Sequence, residues 1–212
     1  MANSKPLLGI LGGTFDPVHF GHLRTALDVM QVLGLEQVRF LPNSVPPHRE
    51  PPWLDADTRK ALLEIAVQDM PDFELDCREL ERGGRSYMVD TLVSLRADFP
   101  AHHLCLILGM DAFAGLHQWH QWQRILELCH IVVIARPGFD WPTAPELQAL
   151  ERRRTGDAGE LKRAEAGRIL LQSVTQLDIS ASNIRKQLQA GQDIRYLLPE
   201  AVRLKLLEKL NT

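Results

Sequence analysis

Two histidines three residues apart, His19 and His22, close the run Ile10-Leu11-Gly12-Gly13-Thr14-Phe15-Asp16-Pro17-Val18-His19-Phe20-Gly21-His22. An apolar strand that enters a glycine turn and leaves into a helix brings main-chain N–H groups close to an anion. The helix start adds unpaired donors and the positive end of a dipole. At a helix start, side chains three apart share a face, so both imidazoles can donate to one polyphosphate without either acting as a base. A glycine pair by itself equally makes an ordinary turn. The combination points to phosphate.

A second constellation, Asp178-Ile179-Ser180-Ala181-Ser182-Asn183-Ile184-Arg185, lies near the C-terminus. Ser180 and Ser182 place hydroxyls beside helix-terminal N–H groups. Arg185, about one turn inside, brings a planar fork of donors to the same anion. Such a set suits the outer phosphates of a triphosphate, although a serine-capped helix with an exposed arginine reads the same way locally. No Ser-His-Asp or Cys-His arrangement stands out to supply a covalent nucleophile.

These groups need a scaffold, and the chain is large enough to make one. Its 212 residues are 45% hydrophobic and 24% charged, with a net charge of −3. A single domain with a substantial core follows, without a broad basic footprint for nucleic acid or an anionic membrane. Cys77, Cys105 and Cys129 are too few and too scattered for a disulfide framework or a four-cysteine zinc site, and read as reduced, mostly buried thiols. With neither a signal peptide nor a membrane span legible, a cytoplasmic location is expected.

Hydrophobic periodicity alternates between strands and helices, the pattern of a parallel α/β sheet. Strands are predicted at 7–11, 38–41, 104–108, 131–135 and 169–171, with short extended pieces at 73–75 and 78–80. Helices are predicted at 21–33, closed by Gly34, and at 56–69, 87–99, 182–190 and 199–210. Residues 42–52 form a proline-rich loop, and the run Arg152-Arg153-Arg154 reads as a solvated helix face. The helical segment 178–212 reads as a C-terminal subdomain of the single domain rather than a separate unit.

The glycine turn with Thr, Phe-Asp-Pro and an HxGH element resembles the HxGH nucleotidyltransferase superfamily, and GGTFDPVHFGH its nicotinate mononucleotide adenylyltransferase branch. Ile179-Ser180-Ala181-Ser182-Asn183-Ile184-Arg185 resembles that superfamily's ISxTxIR element, with Ser182 keeping the hydroxyl of the usual Thr. The resemblance runs from Leu7 to about Pro199 and is weakest over residues 139–168. It implies a Rossmann-like, mainly parallel sheet with helices on both faces. It further implies transfer of the adenylyl group of ATP to nicotinate mononucleotide, with Mg²⁺ carried by the nucleotide and no fixed metal site.

On that resemblance His19, His22 and Arg185 are the catalytic residues. Gly12, Gly13, Thr14, Phe15, Ile179, Ser180 and Ser182 join them around ATP. Asn43, His48 and Arg49 fall in a loop similar to the family's N-x-x-PPH-K/R segment beside the mononucleotide, and Gly109 and Asp111 in its G-x-D element. Asp111 alternatively caps the following helix. Ser86, Tyr87 and Met88 match the family's S-Y-T segment, Trp119 and His120 its pyridine-stacking stretch, and Arg136 completes the mononucleotide set. Met88 stands where the family usually has Thr, and His120 where some relatives have Tyr. Trp119 is otherwise an ordinary core tryptophan.

Neither nucleic acid nor membrane is an expected partner, and a homodimer is left open. The amide mononucleotide, pantetheine phosphate as acceptor, and a non-catalytic nucleotide sensor on the same fold are the alternative readings.

Overall fold

The computed structural model describes residues 5–44, 51–135 and 141–210. In chain order its elements are β1 (Leu7–Gly13), α1 (Phe20–Leu33), β2 (Leu35–Pro42), α2 (Ala56–Val67), β3 (Phe73–Leu75), α3 (Arg78–Arg82) and α4 (Met88–Asp98). There follow β4 (His103–Gly109), α5 (Met110–Ala114), α6 (Trp122–Leu128), β5 (His130–Ala135), α7 (Pro145–Gln148) and β6 (Arg154–Thr155). The chain ends with α8 (Glu160–Arg163), β7 (Ile169–Ser173), α9 (Ala181–Gln189) and α10 (Glu200–Leu210).

The strands form one seven-stranded sheet in the order β3-β2-β1-β4-β5-β7-β6, with every pairing parallel. Period-two alternation sends neighbouring side chains to opposite faces. Leu7 and Leu11 of β1, with Cys105 and Ile107 of β4, pack into the core layer that holds residues of α1, α2 and α10. Leu8 and Ile10, with Leu104, Leu106 and Leu108, pack on the other face among residues of α4 and α6. Ile184, Ile194, Leu198, Val202 and Leu206 share the first layer, so the C-terminal helices are fastened to the same core as β1.

The strand order reverses between β1 and β4. In an open parallel sheet, connections leaving such a switch point diverge and leave a crevice at the strands' carboxyl ends. Here those ends are Gly13 and Gly109.

Two local expectations change. Residues 78–80 lie in helix α3 rather than an extended piece, because the Asp76 carboxylate accepts from the Arg78 N–H at 3.2 Å and grips the Arg78 guanidinium at 2.8 Å, starting a turn. The arginine run is not a helix face either. A 3-10 turn at Glu151–Arg153 leads into the edge strand β6, whose Arg154 and Thr155 pair with β7.

Candidate active site

Local chemistry sets the turn after β1. Phe15 takes a positive φ of 49° and swings its ring edge-on against His22, with centroids 5.0 Å apart. His19 caps α1, and its backbone N–H donates to Nδ1 of His22 at 3.3 Å. A nitrogen that accepts cannot carry the ring proton, so neutral His22 bears its hydrogen on Nε2. The two imidazoles stack at 3.7 Å between centroids. Burial drops the His19 pKa to about 4, and burial followed by the neighbouring His19 holds His22 well below 6.5. Both rings are therefore neutral N–H donors at neutral pH.

Gly21, between them, is fixed by space. A Cβ there would stand 2.9 Å from Nδ1 of His19 and 3.2 Å from the carbonyl oxygen of Ile179. Gly12 is held less tightly, since a Cβ there would come within 2.9 Å of Cε of Met88, the movable end of a flexible side chain. The glycine lets the α4 methionine approach, a packing contact the sequence does not display.

The expected donors at the start of α1 are largely engaged. The Phe20 N–H donates to the Leu197 carbonyl at 3.1 Å and that of His22 to the His19 carbonyl at 2.9 Å. Among the described residues the Gly21 N–H has no partner, and neither do those of Thr14 and Phe15. At α9 the Ser180 hydroxyl is the N-cap, accepting from the Asn183 N–H at 3.2 Å. The N–H groups of Ala181 and Ser182 likewise have no partner among the described residues.

Arg185 joins the two constellations. Its Nη1 donates to the Asp16 carbonyl at 2.6 Å and lies 3.4 Å from the Asp16 carboxylate, while Nη2 donates to Ser182 Oγ at 3.2 Å. The Asp16 carboxylate also accepts from the Trp53 and Leu54 N–H groups, at 2.8 and 2.9 Å. Both of its oxygens thus help to hold the turn.

A cleft of about 990 Å³ opens over the switch point. Gly12, Gly13, Thr14, Phe15, His22, Ser182 and Arg185 line one side of the predicted set. Asn43, Ser86, Tyr87, Met88, Gly109, Asp111, Trp119 and His120 also line it. His19 stands behind His22 and is only 5% exposed, and Ile179 and Ser180 fall just outside the lining. His48, Arg49 and Arg136 lie outside the described residues.

Asp111 sits in the first turn of α5 but does not cap it; Gly109 holds that position. Trp119 packs partly against the second core layer and also lines the cleft. Tyr87 and His120 pack ring to ring at 4.6 Å.

Several lining or supporting residues escaped the sequence reading. Glu79, 3% exposed, lines the cleft and accepts from Thr91 Oγ1 at 2.6 Å. Arg59, on α2, is 1% exposed. One signal for Arg59 was present: it occupies the apolar stripe of α2 with Leu62 and Leu63, where a charge is out of place.

Sequence comparison matches the cytidylyltransferase-like family model to residues 10–187. A Methylococcus capsulatus protein named "Probable nicotinate-nucleotide adenylyltransferase" is 50% identical over 198 residues, covering 92% of this chain and 94% of that protein. An Acidithiobacillus ferrooxidans protein of the same name is 50% identical over 199 residues, covering 92% and 90%. Among solved structures, Plasmodium falciparum nicotinic acid mononucleotide adenylyltransferase complexed with NaAD superposes with a TM-score of 0.70 at 16% identity, covering 96% of each chain. At that identity the likeness is one of fold.

Proposed function

The chain belongs to the cytidylyltransferase-like family and, within it, to the nicotinate-nucleotide adenylyltransferases, and from that premise we propose that it transfers the adenylyl group of ATP to nicotinate mononucleotide. The products are pyrophosphate and nicotinic acid adenine dinucleotide, a step of NAD biosynthesis. The Plasmodium falciparum protein of this fold is described in complex with NaAD, the same product.

The observation that carries the reading is the pairing, across one cleft, of a neutral His22, its Nε2 hydrogen without a partner among the described residues, and an Arg185 fork fastened to the same turn. In the reaction an oxygen of the mononucleotide 5′-phosphate attacks the α-phosphorus in line. The bond from that phosphorus to the bridging oxygen breaks, and pyrophosphate leaves with the electron pair. The nucleophile is already ionised near neutral pH, so no base is needed. The work left to the protein is alignment and stabilisation of charge.

His22, with His19 behind it, donates to the phosphates around the reacting centre, and Ser182 and Arg185 hold the outer ones. Asp111 accepts from a ribose hydroxyl. Trp119 presents a flat face to the pyridine, and the N–H groups of Met88 and Val89 at the start of α4 meet its carboxylate. Both Asp16 oxygens accept backbone N–H bonds, and no three His, Cys, Asp or Glu side chains converge among the described residues. This donor set suits Mg²⁺ that arrives on the phosphate oxygens of ATP and neutralises their charge.

Pyrophosphate release with ATP and Mg²⁺ tests the reading, with nicotinate and nicotinamide mononucleotides compared over matched concentrations. An advantage in kcat/KM of about 10²-fold for the acid is expected, since a carboxylate gives paired donors two charged acceptors. Comparable rates would overturn the account of the pyridine pocket. Absence of release with either would overturn the assigned reaction.

A further inference from the structure

Arg59 has no place in the chemistry above, yet it is buried at the seam between the two halves of the cleft. The β1–β2 ladder ends at the Gly13 and Pro42 pair, followed by one bond from the Asn43 N–H to the Gly13 carbonyl at 3.0 Å. Beyond that point the two segments part, one into the Thr14–Asp16 turn and the other through Asn43 and Ser44, which the family resemblance places on the mononucleotide side. The Arg59 guanidinium closes the gap. Nη1 donates to the Thr14 carbonyl at 2.8 Å and to the Asn43 carbonyl at 2.9 Å, and Nη2 reaches the Ser44 carbonyl at 3.5 Å.

The same two segments are joined twice more. Asn43 Nδ2 donates to Thr14 Oγ1 at 3.3 Å, and Asp16 accepts from the N–H groups of Trp53 and Leu54, just before α2. Burying a guanidinium is costly, and burial lowers the Arg59 pKa; the three carbonyls serve Nη1 and Nη2, Asp16 and Asp55 supply opposite charge, and Nε is left without a partner among the described residues. A lysine would keep the charge but lacks the planar fork that spans two strands.

We propose that Arg59 is a positioning residue that couples the two substrate subsites, so that nucleotide seated on the Thr14 turn sets the Asn43–Ser44 backbone for the mononucleotide, and the reverse. The inference rests on the function proposed above. Coupling of this kind is reciprocal, so each ligand tightens the other by the same factor.

Two measurements test it. In the wild-type protein, hydrogen exchange is followed with α,β-methylene ATP alone; the amides of Asn43, Trp53 and Leu54 become protected, and unchanged exchange there overturns the proposal. In Arg59→Lys, checked for folding by circular dichroism, kcat falls by about 10- to 100-fold. The mutual tightening of the ATP analogue and nicotinate mononucleotide, read by calorimetry, disappears. Arg78→Lys is the control, a partly buried arginine fixed to Asp76, Ser94 and Asp98 away from the cleft, and it keeps the tightening.

Intact coupling in a folded Arg59→Lys, or an equal loss in the control, overturns the inference while wild-type catalysis stands. If Arg59→Lys does not fold, the exchange measurement decides. Absence of pyrophosphate release from the wild-type protein overturns the functional reading and this inference with it.

Discussion

Arg185 donates a 2.6 Å hydrogen bond to the backbone carbonyl of Asp16, a residue 169 positions earlier in the chain. The bond fastens α9 to the turn that follows β1, so two segments from opposite ends of the sequence line one cleft. Arg185→Lys keeps a charge but cannot serve Asp16, Ser182 and a phosphate together. It should raise the KM for ATP by about tenfold, with Arg185→Ala worse, while chemical denaturation registers a stability loss of about 1 kcal/mol.

For His22→Ala, turnover with ATP saturated should fall by about 10²- to 10³-fold, as for the loss of a donor used mainly in the transition state. Steady-state kinetics at fixed Mg²⁺ measure it. Near-normal kcat would remove His22 from the reacting centre.

Gly21→Ala introduces a methyl group 2.9 Å from the His19 ring and 3.2 Å from the Ile179 backbone. The ring can turn, but the backbone cannot easily retreat. A destabilisation of about 1–3 kcal/mol is expected. It should be accompanied by lower kcat, because the methyl unstacks His19 from His22; thermal melts and turnover on the same sample check both.

Trp119→Ala should raise the KM for the mononucleotide by about tenfold and leave that for ATP nearly unchanged, with Trp119→Phe in between. Equal effects on both substrates would mean that its packing against the second core layer, not a stacking face, dominates.

Stability should fall on the acid side. His19 and His130 each have a pKa of about 4 in the folded protein against 6.5 ordinarily, through burial. Below pH 6.5 the unfolded chain takes up protons that the folded chain refuses until about pH 4. The free energy of unfolding therefore drops as pH falls through this window, by about 1.4 kcal/mol per unit for each histidine, and is unaffected by these groups above it. His130 donates to the Ala164 carbonyl and accepts from the Arg168 N–H. Urea titrations from pH 7 to pH 4 on the wild type and His130→Asn should show the slope lessened in the variant.

The strand end, turn and helix start from Gly12 to His22 were legible because their geometry is local, all within one short stretch. The serine cap and arginine of 180–185 were legible for the same reason. The alternating sheet was readable too, since period-two apolar runs buried on both faces leave few other folds. The sequence alone did not reveal that α1 spends its first donor on Leu197, that Gly12 makes room for Met88, or that the arginine run ends in an edge strand.

Residue types and short-range spacing determined the kind of chemistry and the elements that carry it. Tertiary structure alone decided how the pieces meet. Arg59 stands in the sequence as a charge out of place in the apolar stripe of α2, and only the parallel crossover that lays α2 beside the ends of β1 and β2 turns it into a buried clasp. The physical reason is that desolvation and hydrogen-bond satisfaction depend on neighbours distant in sequence, whereas strand, turn and helix signals depend on neighbours only a few residues away.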